Sequence, residues 1–469
     1  MIFAAQSTTD TSYYFNRYIF QNISMRRTIN LKKGLNLSLA GGLSSTEVKT
    51  DIYPSRIAVI PDDFPGFTPK LDVAEGETVG IGQPIMHDKT DTDITIVSPV
   101  EGTVESIVRG ARRKIERVVI KTGSSDVLPI AYPTPTTPAE TRHILKRAGL
   151  WAMLRQRPYD IVPTGDSVPR DIFVTAMDTA PLALDMEKSS IINVENLKAG
   201  VKTLSRLTDG HIYIGVKKGS SLPDIDGAEM VEFNQLHPAG NAGVQAANIA
   251  PVSKGETIWT LDAITLAKIG SLMTNGTISP KVTVALTGSE LVETKVVETV
   301  PGADLADLVK SDISNSGHPV RVISGNVLTG SPEGIDGFLR YPYRQVTVIP
   351  EGSDADEFMG WASVSPRKMS VSPSFIGRFF GKNFTPDARL QGGRRAMIMS
   401  EIYDRYFPMD ILPEYLIKAV IAKDIDQMEA LGIYEVAPED FALAEYADPS
   451  KIELQRIVRQ GLDYLRSEV

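Results

Sequence analysis

Ile172-Phe173-Val174-Thr175-Ala176-Met177 is an uncharged run rich in β-branched residues. Such a run reads as a strand buried on both faces. Downstream, Val194, Leu197, Val201 and Leu204 recur at spacings of three and four, the period of an amphipathic helix. Ile212-Tyr213-Ile214-Gly215-Val216 and Met230-Val231-Glu232-Phe233 supply two further strands. Strand, helix, strand predicts a parallel sheet with right-handed crossovers. Upstream, residues 140–155 (Ile144, Leu145, Ala148, Leu150, Met153, Leu154) read as a helix, and Pro133-Thr134-Pro135-Thr136-Thr137-Pro138 as a stiff joint before it. The α/β unit is therefore expected over residues 139–258.

Before the joint, the chain changes character. Val73-Ala74-Glu75-Gly76, Val79 and Gly82-Gln83-Pro84-Ile85 place apolar residues between tight turns, and Ser98-Pro99-Val100-Glu101-Gly102-Thr103-Val104 repeats the style. Two hairpin-like halves predict a small β-sandwich within residues 25–130. Beyond the α/β unit, Val282-Thr283-Val284-Ala285-Leu286 and Val292-Glu293-Thr294-Lys295-Val296-Val297 read as strands. A short helix near residues 305–309 and the strand Val320-Arg321-Val322-Ile323 follow. That order resembles a β-grasp module over 259–350. Residues 351–469 form a mostly helical C-terminal region, with helices expected at 396–406, 412–422, 425–431 and 452–466.

The 469 residues fit several modest domains. Cysteine is absent, which removes disulfides, thiolate chemistry, Cys-ligated zinc and ordinary iron–sulfur ligation. A net charge of −9 argues against broad nucleic-acid binding. No apolar run reaches the length of a membrane-spanning helix. Residues 1–24 are polar and aromatic, with neither the basic start nor the apolar middle of a secretory signal. Either Met25 is the natural start, or residues 1–24 form a loose extension.

The chemistry-bearing motifs are few. Gly80-Ile81-Gly82 is an incomplete dinucleotide fingerprint, with Ile85 where a third glycine belongs. Gly381-Lys382 is followed by Asn383 and not by the Ser or Thr of a phosphate loop. The five histidines (His87, His143, His211, His237, His318) have no ligand spacing, and Asp62-Asp63 and Asp91/Asp93 read as solvated turns. Lys89 sits on a hairpin of the kind that carries lipoate or biotin, but out of register with that arrangement, so it reads as a charged turn. Two glycine loops remain. His237-Pro238-Ala239-Gly240-Asn241-Ala242-Gly243 follows a buried strand, where α/β sheets place ligands, and reads equally as a ligand loop or a tight connection. Ser324-Gly325-Asn326-Val327-Leu328-Thr329-Gly330 reads as a structural turn.

Lys32-Lys33-Gly34-Leu35-Asn36-Leu37, the Ser98–Val104 stretch, Phe173-Val174-Thr175-Ala176-Met177-Asp178-Thr179, His237-Pro238-Ala239-Gly240, Arg394-Arg395-Ala396-Met397 and Met409-Asp410-Ile411-Leu412-Pro413 resemble, in this order, the A subunits of the Na+-translocating NADH:quinone reductases. The resemblance runs from about Met25 onward. It implies a multidomain α/β plus β fold: a barrel-sandwich (biotinyl/lipoyl-like) domain, a Rossmann-like α/β domain, a β-grasp (SLBB-like) module and helices. It implies a peripheral subunit on the cytoplasmic face of the bacterial inner membrane, beside subunits B to F. NADH, FAD, FMN, riboflavin, iron–sulfur centres and quinone belong to the whole complex, and none of the redox groups to this chain. The architecture is similar to the complex I flavoprotein and the Rnf C subunit, whose phosphate loop and cluster cysteines are missing here.

No catalytic side chain is expected, nor activity of the chain alone. Quinone or partner binding is expected at His237, Pro238, Gly240, Asn241 and Gly243, and at Leu412 and Tyr415 of a C-terminal docking surface. The competing readings are a self-contained flavin/NADH oxidoreductase and a carrier domain modified on Lys89.

Overall fold

The computed structural model describes residues 26–468 apart from 125, 190, 316, 354–359, 367, 381 and 382. The extension 1–24 and the Gly381-Lys382 pair lie outside the described residues.

A six-stranded sheet forms the centre. Its order is Arg27–Ile29, Glu229–Phe233, Ile212–Lys217, Asp171–Thr175, Ile258–Asp262 and Arg155–Arg157. All pairs are parallel except the last. Leaving Asp171–Thr175, the chain adds two strands on one side, then crosses to place Ile258–Asp262 on the other. The order reverses between these two strands, and a crevice opens there past their carboxyl ends. The helices Val194–Leu204 and Ala263–Asn275 pack together over one face. Gly270 makes this contact close: a Cβ there would stand 1.8 Å from the Asn196 carbonyl oxygen.

The region read as one helix over 140–155 divides in three. The helix is Pro138–Arg147, started by a Thr137/Glu140 capping box. Gly149 takes a left-handed φ of 74° just past its end. A single turn at Trp151–Met153 follows, and then the strand Arg155–Arg157. Strand pairing with Ile258–Thr260 outweighs the helical spacing there.

The N-terminal β region packs a four-stranded sheet (Arg56–Val59, Ile115–Thr122, Gly102–Arg109, Thr78–Val79) against a three-stranded one (Pro69–Leu71, Pro84–Asp88, Thr95–Val97). The segment assigned to it from residue 25 is not all local. Arg27–Ile29 joins the central sheet, and Val48–Asp51 joins the third one. The third sheet runs Ser331–Pro332, Val320–Ser324, Gln345–Pro350, Val282–Thr287, Lys295–Thr299, Val48–Asp51, with the helix Leu305–Val309 beside it. The strand expected from Val292 begins only at Lys295, because the Val292 N–H turns away to the Asp312 carbonyl.

The C-terminal helices Pro413–Ala422, Ile425–Ala430, Ala442–Ala447 and Leu454–Glu468 share a core with Val231, Phe233 and Val244 of the central unit. The helix expected over 396–406 is absent except for one turn at Tyr403–Arg405. The backbone there finds a side-chain acceptor instead: Ser400 N–H and Ile402 N–H donate to the buried Glu414 carboxylate, with Glu401 at a φ of 54°.

Candidate functional site

The crevice at the strand reversal is a cavity of about 230 Å³. Its floor comes from the ends of the two central strands: Thr175 and Met177 from one, Leu261 and Asp262 from the other. One wall is the loop of His237, Gly240 and Asn241. The facing wall is the third sheet, through Gly325, Asn326, Thr329 and the Tyr341–Gln345 segment. The two glycine loops of the sequence, nearly ninety residues apart, thus converge on one space. The second of them had read as a structural turn.

The His237 loop is pinned from several directions. Asn36 Oδ1 accepts from the His237 N–H (2.8 Å), and the His237 carbonyl accepts from the Leu35 N–H (2.9 Å). Gly34 permits this approach, since a Cβ there would lie 2.2 Å from that carbonyl oxygen. His237 Nδ1 and Thr179 Oγ1 are hydrogen-bonded at 3.1 Å, and Gly240 N–H donates to the same hydroxyl. Burial pulls the imidazole down to about 4, so it stands neutral at pH 7. Pro238 is buried under the loop.

Gly243 has a different task. A Cβ there would lie 2.2 Å from Arg157 Nη1. The Arg157 guanidinium, 1 % exposed, fills that space and donates to Asp440 Oδ2 (2.8 Å) and the Glu435 carbonyl (2.6 Å). Gly243 therefore serves packing against the C-terminal helices and does not line the crevice. Leu412 and Tyr415 also lie away from it, at the start of Pro413–Ala422, where they are 54 % and 56 % exposed.

The crevice carries charge that the sequence did not single out. Arg344 Nη2 donates to both oxygens of Asp262 (2.8 and 2.7 Å). Burial opposes ionisation of Asp262, but Arg344 and the Thr265 N–H hold its carboxyl below the usual range. Asp178 is open to the cavity yet walled by protein, and that enclosure, with Asp262 nearby, pushes its carboxyl up. Glu439 is pushed up by burial and by the Asp440, Asp160 and Asp178 carboxylates, against the pull of Arg157. Tyr341 donates to the Met153 carbonyl (2.8 Å), stacks on Phe64 at 5.3 Å and lies under Arg155. Burial takes its hydroxyl to about 12. Arg155 and Asp262 depend on the pairing of Arg155–Arg157 with Ile258–Asp262, and Tyr341 and Arg344 on the strand Gln345–Pro350; the sequence predicted none of these strands. The crevice can hold a compact, partly apolar molecule with hydrogen-bonding ends.

Elsewhere, Lys89 lies exposed in a turn, its N–H bound to the Thr68 carbonyl. His87 and His143 pair with Asp72 and Asp93. Among the described residues, no group of three or more His, Asp or Glu side chains could hold a metal ion, and no helix is long and apolar enough to cross a membrane.

Residues 29–123 match the NqrA N-terminal barrel-sandwich hybrid domain, 136–278 the NqrA second alpha/beta domain and 283–332 the NQRA C-terminal SLBB domain. The A subunit of the Na+-translocating NADH-quinone reductase of Pasteurella multocida is 34% identical over 449 residues, covering 94% of this chain and 100% of the relative. Its counterpart from Actinobacillus succinogenes is 35% identical over 448 residues with the same coverage. This chain belongs to the NqrA family. The Neisseria meningitidis serogroup A member is 33% identical, again over its full length. An NAD+-reducing [NiFe]-hydrogenase chain matches over 47% of this chain and 48% of its own length, at a TM-score of 0.33 and 16% identity, too little to bear on the fold. In NqrA terms, the crevice lies between the second alpha/beta domain and the SLBB domain, with Glu439 of the C-terminal region at its rim.

Proposed function

We propose that the chain works as the peripheral A subunit of a membrane-bound Na+-translocating NADH-quinone reductase. The observation that carries this is the full-length match to the A subunits of such complexes. On this reading it sits on the cytoplasmic face of the bacterial inner membrane beside subunits B to F. NADH oxidation, the flavins FAD, FMN and riboflavin, and the iron–sulfur centres belong to those subunits. The α/β unit is Rossmann-like and the third sheet β-grasp-like. The fold order supports an architecture shared with the complex I flavoprotein and the Rnf C subunit. The absence of cysteine and of an intact glycine fingerprint in the sequence goes with a scaffold without redox groups of its own.

The crevice walled by His237, Gly240 and Asn241 is then the place for a quinone headgroup. It combines apolar residues such as Met177 and Leu261 with hydrogen-bonding groups, among them the uncharged His237. Leu412 and Tyr415 present apolar surface to the membrane partner. Purification of the chain from native membranes is expected to bring the redox subunits with it; elution alone would overturn the subunit reading, and flavin absorbance of the isolated chain would favour the flavoprotein one. A photoreactive quinone added to the assembled complex is expected to label residues 237–243. Labelling confined to other subunits would remove the crevice from quinone binding.

A further inference from the structure

A second space lies on the other side of Tyr341, where the N-terminal β region, the α/β unit and the third sheet meet. It is a cavity of about 90 Å³, with an adjoining one of about 30 Å³. Most of its lining is apolar, with Val59, Phe64, Ile96, Leu150, Pro301 and Leu339 drawn from all three units, beside Asp63, Ser279 and Tyr341. Lys268 borders both spaces, and Arg340 and Arg344 line the smaller one. Lys268 stands on the helix Ala263–Asn275, one turn after Thr265 and on the side away from Gly270. Lys268 is part-buried, and no described residue offers its ammonium a hydrogen bond or an ion pair. Burial and the Arg344 charge lower it to about 7, and Asp262 only partly offsets them. Asp262 gives both oxygens to Arg344. Asp63, the acid that lines the cavity, is held by Arg340 Nε at 2.6 Å and by the Tyr341 N–H at 2.9 Å.

A part-buried cation with no counter-ion beside largely apolar walls is costly, and a bound anion that brings its own apolar body lowers the cost. We propose that this three-domain junction is a binding site for a short aliphatic monocarboxylate, its carboxylate on Lys268 Nζ and its chain against Phe64, Ile96 and Leu339. The small space, about 90 Å³, limits the ligand to a short chain, for which butyrate is a suitable probe. This site is separate from the quinone crevice, because Lys268 does not line the latter.

The test is calorimetric titration of the full chain with butyrate and with butyramide, its uncharged counterpart. Butyrate is expected to bind at least about tenfold more tightly. Its affinity is expected to fall as pH rises through about 7, where Lys268 loses its proton. Lys268→Met suits the apolar walls and is expected to keep or raise the thermal midpoint while erasing the preference for butyrate. Lys268→Gln, polar but uncharged, should erase it too and carries the comparison if the methionine variant does not fold. No butyrate binding at millimolar concentration, equal binding of the two probes, or an unchanged preference in both variants would each overturn the proposal. None of these outcomes bears on membership of the membrane complex.

Discussion

His237 shows how one side chain couples the site to stability. Its neutral form is favoured in the folded chain because burial lowers it from 6.5 to about 4. An unfolded chain takes up that proton first as pH falls. The stability linked to neutral His237 is therefore complete above pH 6.5 and is lost as pH falls toward 4. His237→Asn is expected to flatten the fall in urea midpoint across that window, and an unchanged slope would refute the assignment. His237, Gly240 and Asn241 are legible in the sequence as neighbours on one glycine loop after a buried strand, which reads equally as a ligand loop or a tight connection, and all three border one crevice. The sequence could not tell that Gly243 faces Arg157. That partner is 86 residues away and known only from packing.

At the scale of elements, periodicity served best where a segment has one buried face. Val194–Leu204 and Leu454–Glu468 lie within a few residues of their expected ranges. It failed where a local pattern competed with a distant partner. The 140–155 helix yields to a strand pair with Ile258–Thr260, and 396–406 yields to the Glu414 carboxylate. The pairing of Val194–Leu204 with Ala263–Asn275 depends on two glycines, since a Cβ on Gly200 would meet the Leu266 carbonyl oxygen at 2.3 Å and one on Gly270 the Asn196 carbonyl at 1.8 Å. Gly270→Ala raises helix propensity by up to about 1 kcal/mol but overpacks the contact by roughly 1–3 kcal/mol or more. The net expectation is a lower urea midpoint. A midpoint at or above that of the unaltered chain would show that the helices can part without cost.

At the scale of the molecule, the parts do not follow the order of the chain. One core runs from Ile57 through Trp151 and Val174 to Val300, so the N-terminal β region and the α/β unit share buried surface. A second core joins Val231, Phe233 and Val244 to Phe407, Leu416, Phe441 and Leu462. Removing residues 396–468 uncovers that face of the central unit. The truncated chain is expected to bind a hydrophobic dye and aggregate on concentration, as exposed apolar area does. A monodisperse, dye-negative product would mean that the helices are an independent unit.

The sequence alone determined the family, through motifs kept in order. It also determined the class of each region, because hydrophobic period and turn residues are local, and the absence of thiol chemistry, because composition is. Tertiary structure decided which loops meet, why Gly243 is a glycine, and that Arg344, Asp262, Asp178 and Glu439 share a crevice. It also decided that Arg27–Ile29 and Val48–Asp51 belong to sheets far along the chain. These facts depend on strand order and close approach, and neither is written in the spacing of residues along a single segment.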